Sequence, residues 1–243
     1  MLAAPTHDDA TEVAAWFVRP ATLPFAWHAF EEANRAGDPA EAFARGQRIM
    51  QLLPRWTDGY AAFAYRYALA GSPPGTAAEL RVQQAQERLD VAMAWLETAR
   101  PDAGRRELDL LQALAFLPDI AVRQEAALAA LLRGRKSGGA AALADHYMAI
   151  AEQKFPSAFV REQRTFFGPT LAGSLLAAGD VAGARKVLAA AIERSRDVRD
   201  QALATAWRAR LVEADRWLAG DRGTDLAAVR ADLRMAPLLP FLR

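Results

Sequence analysis

The chain has 243 residues, of which 52% are hydrophobic and 24% charged, and this composition excludes a generally disordered chain. Its 30 basic and 29 acidic residues leave a net charge of +1, so the overall charge does not favour nucleic acid or an anionic membrane surface as a partner. Cysteine is absent, which excludes disulfides, thiolate metal sites and cysteine nucleophiles.

Apolar residues recur at helical spacing along nearly the whole chain, interrupted by glycine and proline. This pattern predicts an all-α protein without strands. The predicted helices cover residues 8–18, 22–36, 39–53, 56–70, 76–99, 103–117, 119–133, 139–154, 157–178, 181–195, 197–219 and 223–234. The tail from residue 232 is predicted to close the last helix and continue as an extended apolar plug.

Four interruptions of the helical pattern have a physical explanation. In Gly37-Asp38-Pro39 and in Gly179-Asp180, glycine ends one helix and aspartate caps the next. The segment 71–75, Gly-Ser-Pro-Pro-Gly, is the strongest loop signal. Gly168-Pro169 falls inside an apolar helical pattern, where proline is predicted to kink or split the helix.

A repeat of about 34 residues accounts for several of these turns. Residues 23–56 place Gly37-Asp38 at the turn between two helices, Ala42 at a small position of the second helix and Pro54 at its end. The next unit fits the pattern at Tyr60, Phe63, Ala64, Tyr67 and Gly71. The late match has Leu171, Ala172, Leu175, Gly179-Asp180, Ala184, Leu188 and Ala191.

On these residues the sequence resembles the tetratricopeptide-repeat family, with the best matches over residues 23–71 and 165–195. The resemblance implies one domain over residues 1–243, a right-handed α-solenoid of antiparallel helix pairs with capping helices. It also implies a scaffold or adaptor that binds a protein or peptide segment in its concave groove. The groove residues carried over by position are Trp27, Glu31, Asp58, Tyr65, Arg66, Thr170 and Ser174.

Catalytic patterns are missing from the sequence. The three histidines are far apart, and no serine has the Gly-x-Ser-x-Gly frame of a hydrolase. The loop 134–139 offers Arg135, Lys136 and Ser137 to an anion, but without the spacing of a phosphate-binding loop. We therefore expect no enzyme activity, no cofactor, no metal and no nucleic-acid partner.

Two other functions stay open at this stage. In the first, the chain is a structural subunit of a larger complex, with its apolar tail and the N-terminal Trp16-Phe17 packed on neighbours. In the second, it is a helical small-ligand-binding protein or enzyme with a pocket near Gly168-Pro169.

The start of the chain shows no secretory signal, and no apolar run reaches the roughly 18 residues of a membrane span. We expect a soluble, cytoplasmic protein without membrane insertion. The sequence leaves its oligomeric state open.

Overall fold

The computed structural model describes residues 10–135 and 138–243, with side chains from Arg19 onward. This part of the chain is all-α and contains no strand, which confirms the predicted fold class. The α-helices are α1 (Ala10–Arg35), α2 (Pro39–Leu52), α3 (Thr57–Ala68), α4 (Ala78–Ala99), α5 (Glu107–Gln124), α6 (Leu128–Arg135), α7 (Gly139–Lys154), α8 (Ala158–Ala177), α9 (Val181–Arg194), α10 (Gln201–Leu218) and α11 (Ala227–Ala231). Further 3₁₀ segments cover Gly104–Arg106, Ser195–Asp197 and Leu233–Phe241.

Two compact units divide the chain, unit 1 (Met1–Ala113) and unit 2 (Leu114–Arg243). In unit 1, α1 packs on α2, α2 on α3 and α3 on α4. In unit 2, each helix from α6 to α11 packs on the next along the chain. Neighbours in sequence are thus neighbours in space, as in helices joined by short connections. The expectation of a single domain stays a prediction.

Two turns form as predicted. Gly37 adopts the left-handed conformation with φ of 72°, and the Asp38 carboxylate accepts hydrogen bonds from the amides of Ala40 and Glu41, both at 3.0 Å. The Asp180 carboxylate accepts one from the amide of Gly183 at 2.7 Å. Each aspartate satisfies amides that the first turn of a helix leaves without a partner.

Prolines do not end the helices where the sequence predicted breaks. The two helices predicted on either side of Pro20 are joined in one helix, α1 (Ala10–Arg35), which continues through Pro20 and Pro24. Likewise α5 continues through Pro118, and α8 runs unsplit through Pro169. An interior proline removes one hydrogen-bond donor and bends a helix, and packing of the remaining turns offsets that loss.

The core of unit 1 is aromatic and includes two close approaches. Phe30, Phe43 and Phe63 are each at most 6% exposed. A Cβ atom on Gly46 would lie 2.9 Å from the Phe63 ring, and one on Gly59 would overlap the Trp56 ring. These rings reach their positions because the two glycines carry no side chain.

The core of unit 2 is built by α8, α9 and α10 together with the C-terminal segment Leu233–Phe241. Trp207 and Leu188 are fully buried in it. The C-terminal segment packs on α8, and its Met235 and Leu238 are also fully buried.

Two predictions about the end of the chain need correction. The expected extended plug is instead a 3₁₀ helix, Leu233–Phe241, whose Met235 and Leu238 are buried as the segment packs on α8. The predicted helix 223–234 is reduced to α11, Ala227–Ala231.

No helix in the described part combines the length and the apolar composition needed to cross a bilayer.

Candidate functional site

The predicted groove residues of α1 have different surroundings. The indole of Trp27 packs into the aromatic core, with its ring centre 5.9 Å from that of Phe63 and 6.0 Å from that of Trp56. Glu31 is exposed and lies 3.7 Å from the guanidinium of Arg35, one turn further along the helix. Trp27 thus stabilises unit 1, and the part of both residues in partner binding stays a prediction.

Two predicted residues of α3 are held by the chain that follows α4. The carboxylate of Asp58 accepts a hydrogen bond from the Arg106 guanidinium at 2.6 Å. The Tyr65 hydroxyl donates to the backbone carbonyl of Ala113 at 3.4 Å, and burial raises the pKa of this phenol. Asp58 and Tyr65 therefore already have partners within unit 1.

The three remaining predicted residues lie in two places. Arg66 is exposed near the end of α3, with its guanidinium 5.5 Å from the centre of the Phe30 ring, a cation–π contact. Thr170 and Ser174 are half-buried on α8 in unit 2. The structure thus groups Asp58, Tyr65 and Arg66 on α3 and leaves the α8 pair in the other unit.

Arg66 lines a cleft where the turn between α1 and α2 meets the end of α3 and the following loop. We name it the turn cleft; it consists of an inner hollow of about 280 Å³ and an outer hollow of about 620 Å³. Both hollows share Gly37, Pro39, Tyr67 and Gly71 as wall residues. The two hollows of the turn cleft therefore adjoin one another.

The inner hollow has an aromatic wall. Phe43 and Tyr67 stack face to face with ring centres 4.4 Å apart, and Phe30 meets Phe63 edge-on at 5.0 Å. Phe30, Phe43 and Phe63 are buried, whereas Tyr67 is half-buried. The rings provide a rigid surface, since each is held by its neighbours in the core of unit 1.

One side of α4 contributes three polar residues to the outer hollow, Gln84, Glu87 and Arg88. Glu87 and Arg88 lie three and four residues after Gln84, one helical turn further on, so all three reach the same hollow. The side-chain oxygen of Gln84 accepts a hydrogen bond from the Ser72 hydroxyl at 2.8 Å. This bond ties the loop after α3 to α4 and fixes the opposite wall.

Arg88 lines the turn cleft and has a buried hydrogen-bond donor without an acceptor. The residue is only 9% exposed, and its buried Nε–H donates to no acceptor. Burial lowers the pKa of Arg88, and the neighbouring Tyr67 and Glu87 oppose that shift. A buried guanidinium without an acceptor is unfavourable, because the charged group has lost water and gained no partner.

The two acidic side chains of the turn cleft are placed differently. Asp38 uses one carboxylate oxygen to cap α2 through the amides of Ala40 and Glu41. Glu87 is exposed to solvent at the outer hollow. The wall therefore contains Asp38, whose carboxylate caps α2, Glu87, whose carboxylate is in solvent, and Arg88, which is buried.

Sequence reasoning missed Arg88 and assigned Tyr67 to the core alone. The available signals were the turn at 37–39 and the loop at 71–75, which were predicted separately. The structure brings them together at the turn cleft. Nothing in the sequence indicated that they would meet beside Arg88.

Other candidates from the sequence are not supported by a site in the structure. The suggested anion loop contains Lys136 and Ser137, which lie outside the described residues, as do the side chains of Trp16 and Phe17. Near Gly168-Pro169 the helix is tightly packed, since a Cβ on Gly168 would lie 2.8 Å from the Cβ of Ala191. Within residues 19–135 and 138–243, whose side chains are described, no three acidic or histidine side chains are grouped as metal ligands.

No protein-family model matches the sequence, and no curated protein or solved structure matches it.

Proposed function

We propose that this chain is a tetratricopeptide-like helical scaffold that binds an extended segment of a partner protein in the turn cleft. The observation that carries the proposal is the cleft itself, two adjoining hollows of which one has an aromatic wall and the other carries hydrogen-bonding groups. An extended peptide uses both kinds of surface, because its side chains make apolar contacts and its backbone makes hydrogen bonds.

Helix packing in sequence order supports the scaffold part of the proposal. Short turns at 36–38 and 178–180 each join helices that pack on one another, α1 with α2 and α8 with α9. In the proposed arrangement such pairs stack into a right-handed solenoid with capping helices. Small-angle X-ray scattering tests this part, since a solenoid predicts an elongated profile and a globular profile would contradict it.

Binding, rather than catalysis, fits the side chains of the turn cleft. Its described lining contains no histidine, and its one serine, Ser72, donates to the Gln84 amide oxygen and not to a base. A nucleophile needs a base within hydrogen-bonding distance. The lining offers anchoring groups and no such pair.

A blocking substitution tests the proposal. Gly71 lines both hollows, its Cβ position meets no atom within 4 Å, and its φ is not in the left-handed range. Gly71→Trp therefore fills the turn cleft without straining the backbone. Gly134→Trp is the matched control, because Gly134 is exposed on α6 and also has open space at Cβ.

The probe is a random peptide display library selected on the full chain. We expect peptides that bind the wild type and Gly134→Trp but lose binding to Gly71→Trp. Equal binding to all three proteins would contradict the turn cleft as the binding place. A chain that selects no peptide and self-associates in sedimentation would count against the scaffold and favour the alternative of a structural subunit.

A further inference from the structure

We propose that the turn cleft selects segments with an acidic side chain, whose carboxylate pairs with Arg88. The inference rests on the proposed function, because it names the chemistry of the segment bound there. It goes beyond that function by assigning the recognition of charge to one residue that the sequence did not single out.

The buried Nε–H of Arg88 lacks a hydrogen-bond acceptor. Arg88 is nine-tenths buried, and its Nε–H donates to no acceptor among the described residues. By contrast, Arg164 of unit 2 contacts the carboxylates of Asp145 at 2.8 Å and Glu152 at 2.9 Å. A buried guanidinium is normally paired in this way, so the unsatisfied Nε–H of Arg88 favours an acceptor supplied from outside the chain.

The position of Arg88 brings it next to a ligand in the turn cleft. Arg88 forms part of the wall of the outer hollow, so a ligand bound there lies against this residue. Three other arginines, Arg19, Arg194 and Arg210, also have a buried Nε–H without an acceptor, but none of them lines the turn cleft. Arg88 thus combines a missing acceptor with an open approach.

A carboxylate is the best complement to this group. Its two oxygens accept the parallel N–H bonds of a guanidinium, which a neutral amide cannot match. Arg88 has already lost most of its water before binding, so a carboxylate adds its attraction with little further desolvation of the arginine.

The acids of the turn cleft do not replace the missing partner. Glu87 precedes Arg88 on α4, and successive side chains of a helix point in different directions. It acts on Arg88 through space, without an ion pair, and remains in water. The capping oxygen of Asp38 is engaged by amides of α2.

A second arginine lines the inner hollow of the turn cleft. Arg66 is exposed and lines the inner hollow, which adjoins the outer hollow at Tyr67 and Gly71. A segment lying along both hollows passes Arg88 and then Arg66. Segments with two acidic residues are therefore expected to bind better than segments with one.

The test follows the arginine side chain by NMR. Nitrogen–proton spectra of the full chain record the Nε–H signal of Arg88, which is assigned by its loss in Arg88→Met. The probes are acetyl-Glu-Glu-amide and acetyl-Gln-Gln-amide at equal ionic strength. We expect saturable shifts with the acidic probe and binding weaker by about tenfold or more with the neutral one. Equal shifts with both probes, or none with either, would overturn the proposal.

Variants separate recognition from folding. Arg88→Met should abolish the preference for the acidic probe, whereas Arg48→Met should keep it, because Arg48 is exposed on α2 and lies outside the turn cleft. The urea midpoint of Arg88→Met should equal or exceed that of the wild type, since methionine replaces an unpaired buried charge. A clearly lower midpoint would mean that Arg88 is structural and would overturn the proposal.

Two outcomes distinguish this inference from the proposed function. If library peptides bind in the turn cleft without enrichment in Asp or Glu, the proposed function stands and the acidic preference is wrong. If acetate at the same carboxylate concentration shifts the Arg88 signal as much as acetyl-Glu-Glu-amide does, the site takes free anions and the inference is also wrong.

Discussion

Replacing Gly173 by alanine should loosen the C-terminal segment from α8. A Cβ atom at this position would lie 2.5 Å from the backbone oxygen of Pro237. A backbone oxygen cannot rotate away as a flexible side chain can, so either the segment or α8 must move. The segment carries Met235 and Leu238, whose burial depends on its present position.

Two opposing free-energy contributions set the change in stability of Gly173→Ala. Alanine in a helix interior is favoured over glycine by about 0.5–1 kcal/mol. Overpacking of a well-packed interior costs about 1–3 kcal/mol. The expected net result for Gly173→Ala is a loss of about 1–2 kcal/mol, because a rigid contact leaves little room for relaxation.

Urea unfolding of the full chain measures this difference. The control is Gly134→Ala in the last turn of α6, where a Cβ meets no atom within 4 Å. The control should be at least as stable as the wild type, since it gains helix propensity without a clash. If Gly173→Ala is as stable as Gly134→Ala, the close approach of α8 and the C-terminal segment is wrong.

Two further substitutions test charged contacts of unit 2. Asp232→Asn should cost about 1–3 kcal/mol near neutral pH, because Asp232 accepts hydrogen bonds from Arg234 that lower its pKa. That cost should shrink as the pH falls from 3.8, the ordinary pKa of an aspartate, through the lowered pKa of Asp232, because the wild-type carboxylate is then protonated too. A difference in urea midpoint between wild type and Asp232→Asn that stays constant across this range would refute the prediction. Arg164→Met should cost about 3 kcal/mol because it leaves Asp145 and Glu152 without their shared partner, and an unchanged thermal midpoint would contradict that role.

Local signals in the sequence predicted the helices and their caps well. Gly37 and Asp38 are an example, because the left-handed glycine and the capping carboxylate depend only on residues next to them. The helices α2 and α9 accordingly begin where the sequence placed them, at Pro39 and Val181.

Long-range packing accounts for the predictions that failed. An interior proline destabilises a helix locally, and the sequence could not show that packing along α1 and α5 would outweigh this loss at Pro20 or Pro118. The tail could not be recognised as 3₁₀ for a similar reason, since its conformation is tied to the burial of Met235 and Leu238 against α8.

The turn cleft could not be predicted from the sequence, for a different reason. Arg88 is one of many arginines on amphipathic helices, and its neighbours in sequence give no sign of burial. It is buried where the turn at Gly37, the end of α3 and the loop from Gly71 meet beside α4. Such a meeting depends on tertiary packing that no single segment encodes.

Photo-crosslinking is the most direct test of the turn cleft as a binding site. A library-selected peptide carrying a benzoylphenylalanine is irradiated with the full chain, and the attachment sites are mapped by mass spectrometry. We expect adducts within residues 34–43 and 63–88, and their loss in Gly71→Trp. Adducts concentrated around Thr170 and Ser174 on α8, unchanged by Gly71→Trp, would contradict binding in the turn cleft.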